Sequence, residues 1–116
     1  MQMITVEKLN AFGANTADGL ARCFGNESLY LKLVATIPGE TTFDKLKETL
    51  AEKNLKAAFE AAHALKGVLG NLSITPIYTP IVEITELLRN ETDMDYTSLL
   101  GTIFEKKDEL GRLCAE

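Results

Sequence analysis

The sequence predicts an all-α fold, an antiparallel four-helix bundle preceded by one or two short helices. Apolar residues recur at three- and four-residue spacing along nearly the whole chain, and no run of period-two alternation lies between turn residues. The link around Lys53-Asn54 is only two residues long, which forces the helices on either side to pack antiparallel. With 116 residues the chain is read as a single domain, 1–116, able to bury one core without a disulfide or a metal to hold it.

The first helix runs from Val6 to Phe12, started by Thr5 and stopped by Gly13-Ala14-Asn15. A second spans Ala17 to Phe24, and Gly25-Asn26 supplies both its stop and the next N-cap. The third carries a stripe of Leu29, Leu33 and Ile37, with Tyr30 and Val34 alongside, and runs into the helix-breaking pair Pro38-Gly39. Helix resumes at Thr41, where Thr41 and Asp44 resemble a capping box, and Phe43, Leu46 and Leu50 mark its inward face. Asn54 caps the next helix. Its inward stripe is Leu55, Phe59, Ala62, Leu65, Leu69 and Leu72, while Ala57, Ala61, Ala64 and Val68 make the other side small and apolar, as for a helix contacted on two sides. Thr75-Pro76 or Thr79-Pro80 opens the following helix, with threonine as cap, proline in the first turn and Ile77, Ile81, Ile84 and Leu88 as the core face. The last helix extends from about Asp95 to Leu113 on a stripe of Leu99, Ile103, Leu110 and Leu113, and its charged run 105–109 reads as a solvated face.

Composition excludes several function classes. A net charge of −5 with scattered basic residues argues against nucleic acid as a partner. No apolar run approaches the length of a membrane span, and the N-terminus lacks the layout of a signal peptide, so a cytoplasmic location is expected. Cys23 and Cys114 are about 90 positions apart, without a CxxC pair and with one histidine to join them, too few soft ligands for zinc; both are read as reduced. Nothing resembles a nucleophile elbow, a P-loop or a dinucleotide-binding turn.

Chemistry therefore concentrates on the single histidine, His63. At about 100° per residue, His63, Gly67 and Gly70 share a narrow sector of one helix, with Lys66 at its edge. Each glycine costs about 1 kcal/mol relative to alanine in a helix interior, and close approach by another surface explains the cost. A side chain at position 67 would project over the ring, and Lys66 would place a compact cation near an incoming phosphoryl group.

The segment Ala62-His63-Ala64-Leu65-Lys66-Gly67-Val68-Leu69-Gly70-Asn71-Leu72 resembles the signature of histidine-containing phosphotransfer (HPt) domains. Residues 20–30 and 84–89 are similar to flanking parts of such proteins, so the resemblance covers nearly the whole chain. It implies that His63 accepts a phosphoryl group from an aspartyl phosphate on one receiver domain and passes it to another, with Lys66 neutralising charge and Gly67 giving access. It further implies receiver domains of response regulators or hybrid kinases as partners, no cofactor on this chain, Mg²⁺ on the receiver, and a phosphocarrier without kinase activity, expected to be a monomer. A hairpin centred near Ile74 places Thr85 opposite His63 with Glu86 close by. Thr85 stands where many relatives carry a longer polar side chain that bonds the imidazole; Glu86 or water is the alternative, and Arg89 pairs with Glu60 or Glu86. Ser73, where relatives often have glycine, and Pro80 are further departures. Lys56, Glu60, Val68, Gly70 and Asn71 are candidates for a receiver-docking surface. The competing reading is a helical adaptor that binds a signalling partner without phosphoryl transfer; a pantetheine carrier is weaker, since no Asp-Ser-Leu attachment site is present.

Overall fold

The computed structural model describes residues 4–115 and contains seven α-helices and one 3-10 turn among them. Four long helices form the bundle: α4 (Thr42–Ala51), α5 (Leu55–Leu72), α6 (Thr75–Arg89) and α7 (Thr97–Ala115). Three short ones, α1 (Val6–Phe12), α2 (Thr16–Arg22) and α3 (Glu27–Val34), precede it, and a 3-10 turn at Ile37–Gly39 leads into α4. No strand occurs among the described residues, and no helix there is long and apolar enough to cross a membrane.

Local chemistry starts most of these helices. The Thr5, Asn15, Asn26 and Asn54 side chains each accept a backbone N–H of the first turn of the helix that follows, which satisfies donors that otherwise lack a partner. Between α4 and α5 the chain reverses through Lys53 in the left-handed region (φ 57°), and between α5 and α6 through Ser73 (φ 56°). The core is continuous: Phe43 and Leu46 from α4, Ala62, Leu65 and Leu69 from α5, Ile77, Ile81 and Ile84 from α6, and Ile103 and Leu110 from α7 are buried together. Cys23 and Cys114 are both buried free thiols.

Several local expectations give way to tertiary packing. Helix α2 ends at Arg22 rather than Phe24, because Phe24 and Gly25 both adopt positive φ and turn the chain away, leaving the Phe24 ring 94% exposed. On α3 the buried residues are Tyr30 and Val34, while Leu29 and Leu33 face outward at 39% exposure each. Tyr30 fixes that rotation: its hydroxyl donates to the Leu72 carbonyl (3.0 Å), and its ring lies so close to Gly19 that a Cβ there would clash with it. Helix α3 stops at Val34, short of Pro38. Thr41 makes no capping bond. The Glu40 carboxylate instead accepts from the Thr42 N–H (3.2 Å) and hydroxyl (2.8 Å).

Helix α6 begins at Thr75 after Ile74, with no threonine cap, and Pro80 lies inside it. A proline at that position removes a single backbone donor early in the helix, and α6 continues to Arg89. On α5 the small side is only partly covered: Ala61 is buried, but Ala64 and Val68 are exposed, and Ala58 joins the core instead. Helix α7 starts at Thr97, whose N–H is accepted by Asp95 (2.9 Å). Its charged run is not simply solvated, since Lys107 lies over both the Phe43 and Phe104 rings (5.7 Å each).

Candidate phosphoacceptor site

His63 stands in the middle of α5, exposed on the side turned away from the core. The sequence folds this way because Ala62 and Leu65 on either side of it are buried, which rotates residue 63 outward. The same periodicity aligns Lys56, Glu60, His63, Gly67 and Asn71 along one exposed stripe of the helix. Lys56 and Glu60 lie toward its N-terminal end. From His63 onward the stripe forms the floor of a groove of about 640 Å³. Lys66, Gly67, Gly70 and Asn71 line it with His63, α2 contributes Asp18 and Arg22, and α6 contributes Tyr78 and Thr79.

The two glycines differ. A Cβ on Gly67 would meet nothing within 4 Å, so internal packing gives no reason for its absence. A Cβ on Gly70 would lie 3.0 Å from the Tyr78 ring, so close helix packing accounts for that one. Lys66, half-buried, lines the same groove as the imidazole.

The surroundings of the imidazole depart from expectation at Thr85. Its side chain is fully buried, and its hydroxyl donates to the Ile81 carbonyl one turn earlier on α6 (2.6 Å). Threonine is too short to satisfy its own buried hydroxyl this way and also reach across to an exposed ring. Glu86 does not take over the bond; its carboxylate accepts from Arg89 Nε at 3.1 Å. Of the two partners considered for Arg89, Glu86 is therefore the one observed. What does touch His63 is Phe59, one turn earlier on α5: the rings stack with centroids 5.7 Å apart and planes 18° apart. The Arg89 guanidinium lies over the Phe59 ring at 5.1 Å.

The far wall of the groove comes from α2. Arg22 Nε bonds Asp18 at 2.9 Å, and Ser73, at the left-handed C-cap of α5, also donates its hydroxyl to Asp18. The Ser73 bond, and after it Arg22, holds the Asp18 carboxyl below its usual value. The spacing puts Phe59 on the inward stripe and gives it no part in the site; its place one turn before the histidine on the same helix was the one signal for this contact. Asp18 and Arg22 carried no local signal, because they reach the groove only through the docking of α2 on α5.

The sequence matches the Hpt domain family over residues 39–116, about two-thirds of the chain. The chain belongs to the Hpt domain family. Hpt domains are phosphocarriers of two-component phosphorelays, and receiver domains are the family's general partners. The matched region contains the whole four-helix bundle, and α1 to α3 lie before it. No match was found among curated proteins or among solved structures.

Proposed function

We propose that His63 of this Hpt domain accepts a phosphoryl group from the aspartyl phosphate of one receiver domain and returns it to an aspartate on another. The observation that carries this reading is the exposed imidazole at the head of a groove that Lys66 also lines, with open space over Gly67. In the forward step the Nε2 lone pair attacks phosphorus in line with the aspartyl oxygen. The P–O bond breaks, the electron pair leaves with the carboxylate, and the ring carries the positive charge until Nδ1 releases its proton to water. The return step reverses this on the second receiver. Such a transfer needs positioning and charge neutralisation more than covalent machinery.

Lys66 supplies positive charge next to the phosphoryl oxygens, and Gly67 leaves the path to Nε2 clear. Lys56, Glu60, Val68, Gly70 and Asn71 contribute to the face on which a receiver docks. The divalent cation of the reaction is assigned to the receiver.

The test mixes the protein with a receiver domain carrying labelled phosphate. Acid-labile, base-stable label is expected on the wild type and absent from His63→Gln. Label that persists in His63→Gln, or no transfer from a wide panel of receivers, would overturn the proposal and leave the phosphate-free adaptor in its place.

A further inference from the structure

We infer that Phe59 is a positioning residue for His63, setting the plane of the imidazole by ring stacking where the family resemblance led us to expect a hydrogen bond from α6. The inference rests on the reading of His63 as acceptor. An imidazole on an exposed helix face has a broad torsion about its ring-bearing bond, so its two nitrogens sweep a wide arc unless something fixes the plane. In-line attack requires the opposite, a nitrogen held on the line of approach to phosphorus.

No hydrogen bond to the imidazole occurs among the described residues, and Thr85, the side chain expected opposite it, is committed to Ile81. The Phe59 ring is the contact that remains, with centroids 5.7 Å apart and planes 18° apart, within the offset-stacked range. Phe59 is itself held. It is half-buried and packed on the core, and Arg89 lies over its ring at 5.1 Å while Glu86 fixes the guanidinium through Nε at 3.1 Å. Glu86 and Arg89 thus bear on the acceptor through Phe59 and not by bonding the imidazole. A face of carbon also leaves both ring nitrogens free, one to attack and one to hold or release its proton.

The chain has one histidine, so its imidazole proton resonances are unambiguous in NMR spectra. Stacking on Phe59 predicts a ring-current displacement of those resonances that Phe59→Leu abolishes and Phe59→Tyr retains. Phosphoramidate, with its nitrogen protonated, provides a small donor that bypasses receiver docking. Imidazole Nε2 attacks phosphorus, the P–N bond of the donor breaks with its electron pair leaving on ammonia, and the phosphorylated imidazolium forms. Phe59→Leu is expected to slow this labelling about two- to tenfold, the range a stacked pair covers, with Phe59→Tyr restoring it.

Arg89→Gln, which leaves the core intact, gives a second reading if Phe59→Leu fails to fold; it should move the imidazole resonances in the same sense by a smaller amount. A folded Phe59→Leu with wild-type resonances and rate overturns the positioning role. Unmoved resonances in Arg89→Gln, should that variant be the only one to fold, overturn it as well. Failure of the wild type to label at His63, with the ring-current displacement present, instead overturns the acceptor reading and Phe59's part in the reaction with it.

Discussion

Gly67 lies mid-helix with open space where its side chain would be, and Gly70 lies against a tyrosine ring. Alanine at 67 therefore gains helix propensity, about 1 kcal/mol, without a steric cost inside the molecule. At 70 the same gain is offset by displacement of Tyr78. Thermal unfolding should rank Gly67→Ala above Gly70→Ala in Tm. Phosphotransfer from a receiver should nonetheless fall in Gly67→Ala, by about tenfold if the added methyl costs roughly 1.4 kcal/mol of docking. Equal transfer rates for Gly67→Ala and wild type would remove the access role of Gly67. At Thr85 the expectation is the reverse: Thr85→Val removes a hydroxyl bonded only within its own helix, and His63 labelling should be unchanged in the same assay. What was legible for Thr85 was an expected register opposite His63 in the hairpin. Its burial was not, because that depends on how α6 rotates to bury Ile81 and Ile84.

At the scale of elements, helix α3 shows where periodicity stops being sufficient. Leu29 and Leu33 are as apolar as any pair on the chain, yet Tyr30 and Val34 are buried in their place. The deciding contacts are distant in sequence: the Tyr30 hydroxyl on the Leu72 carbonyl and the Tyr30 ring over Gly19. Tyr30→Phe leaves that carbonyl without its partner and should cost about 1–3 kcal/mol, read from chemical denaturation. The same contact has a pH signature. Burial pushes the Tyr30 phenol from 10.0 up to about 12, so the unfolded chain gives up the proton first as pH rises. The stability tied to that proton is complete below pH 10 and is lost as pH climbs toward 12, and Tyr30→Phe should show a smaller loss over that window. Helices α5 and α6 behaved differently. Their stripes predicted the buried residues Ala62, Leu65, Leu69, Ile77, Ile81, Ile84 and Leu88 because long amphipathic helices at the centre of a bundle leave few ways to hide their apolar surface.

Across the whole molecule, the three carboxylates Asp18, Glu40 and Asp95 all lie below their ordinary values, through the Ser73, Thr42 and Thr97 hydroxyls first in each case. Groups shifted in this direction contribute stability above their ordinary values of 3.8 and 4.5 and lose it as the pH falls through the lowered ones. Acid titration of unfolding should show this decline beginning near pH 4, and Asp18→Asn should flatten part of it. A decline as steep in Asp18→Asn as in wild type would show that the link from α2 to Ser73 contributes little.

The sequence alone determined the helical class, the bundle of four long helices and an exposed histidine with a lysine and a glycine at fixed angles around it. Those follow from spacing along one chain, since a helix converts residue number directly into direction. Only the tertiary structure decided which face α3 buries, that Asp18 and Arg22 wall the groove, and that Phe59 rather than Thr85 meets the imidazole. These depend on contacts between elements, where close packing and the need to satisfy each buried polar group select one arrangement among several that the same periodicity allows.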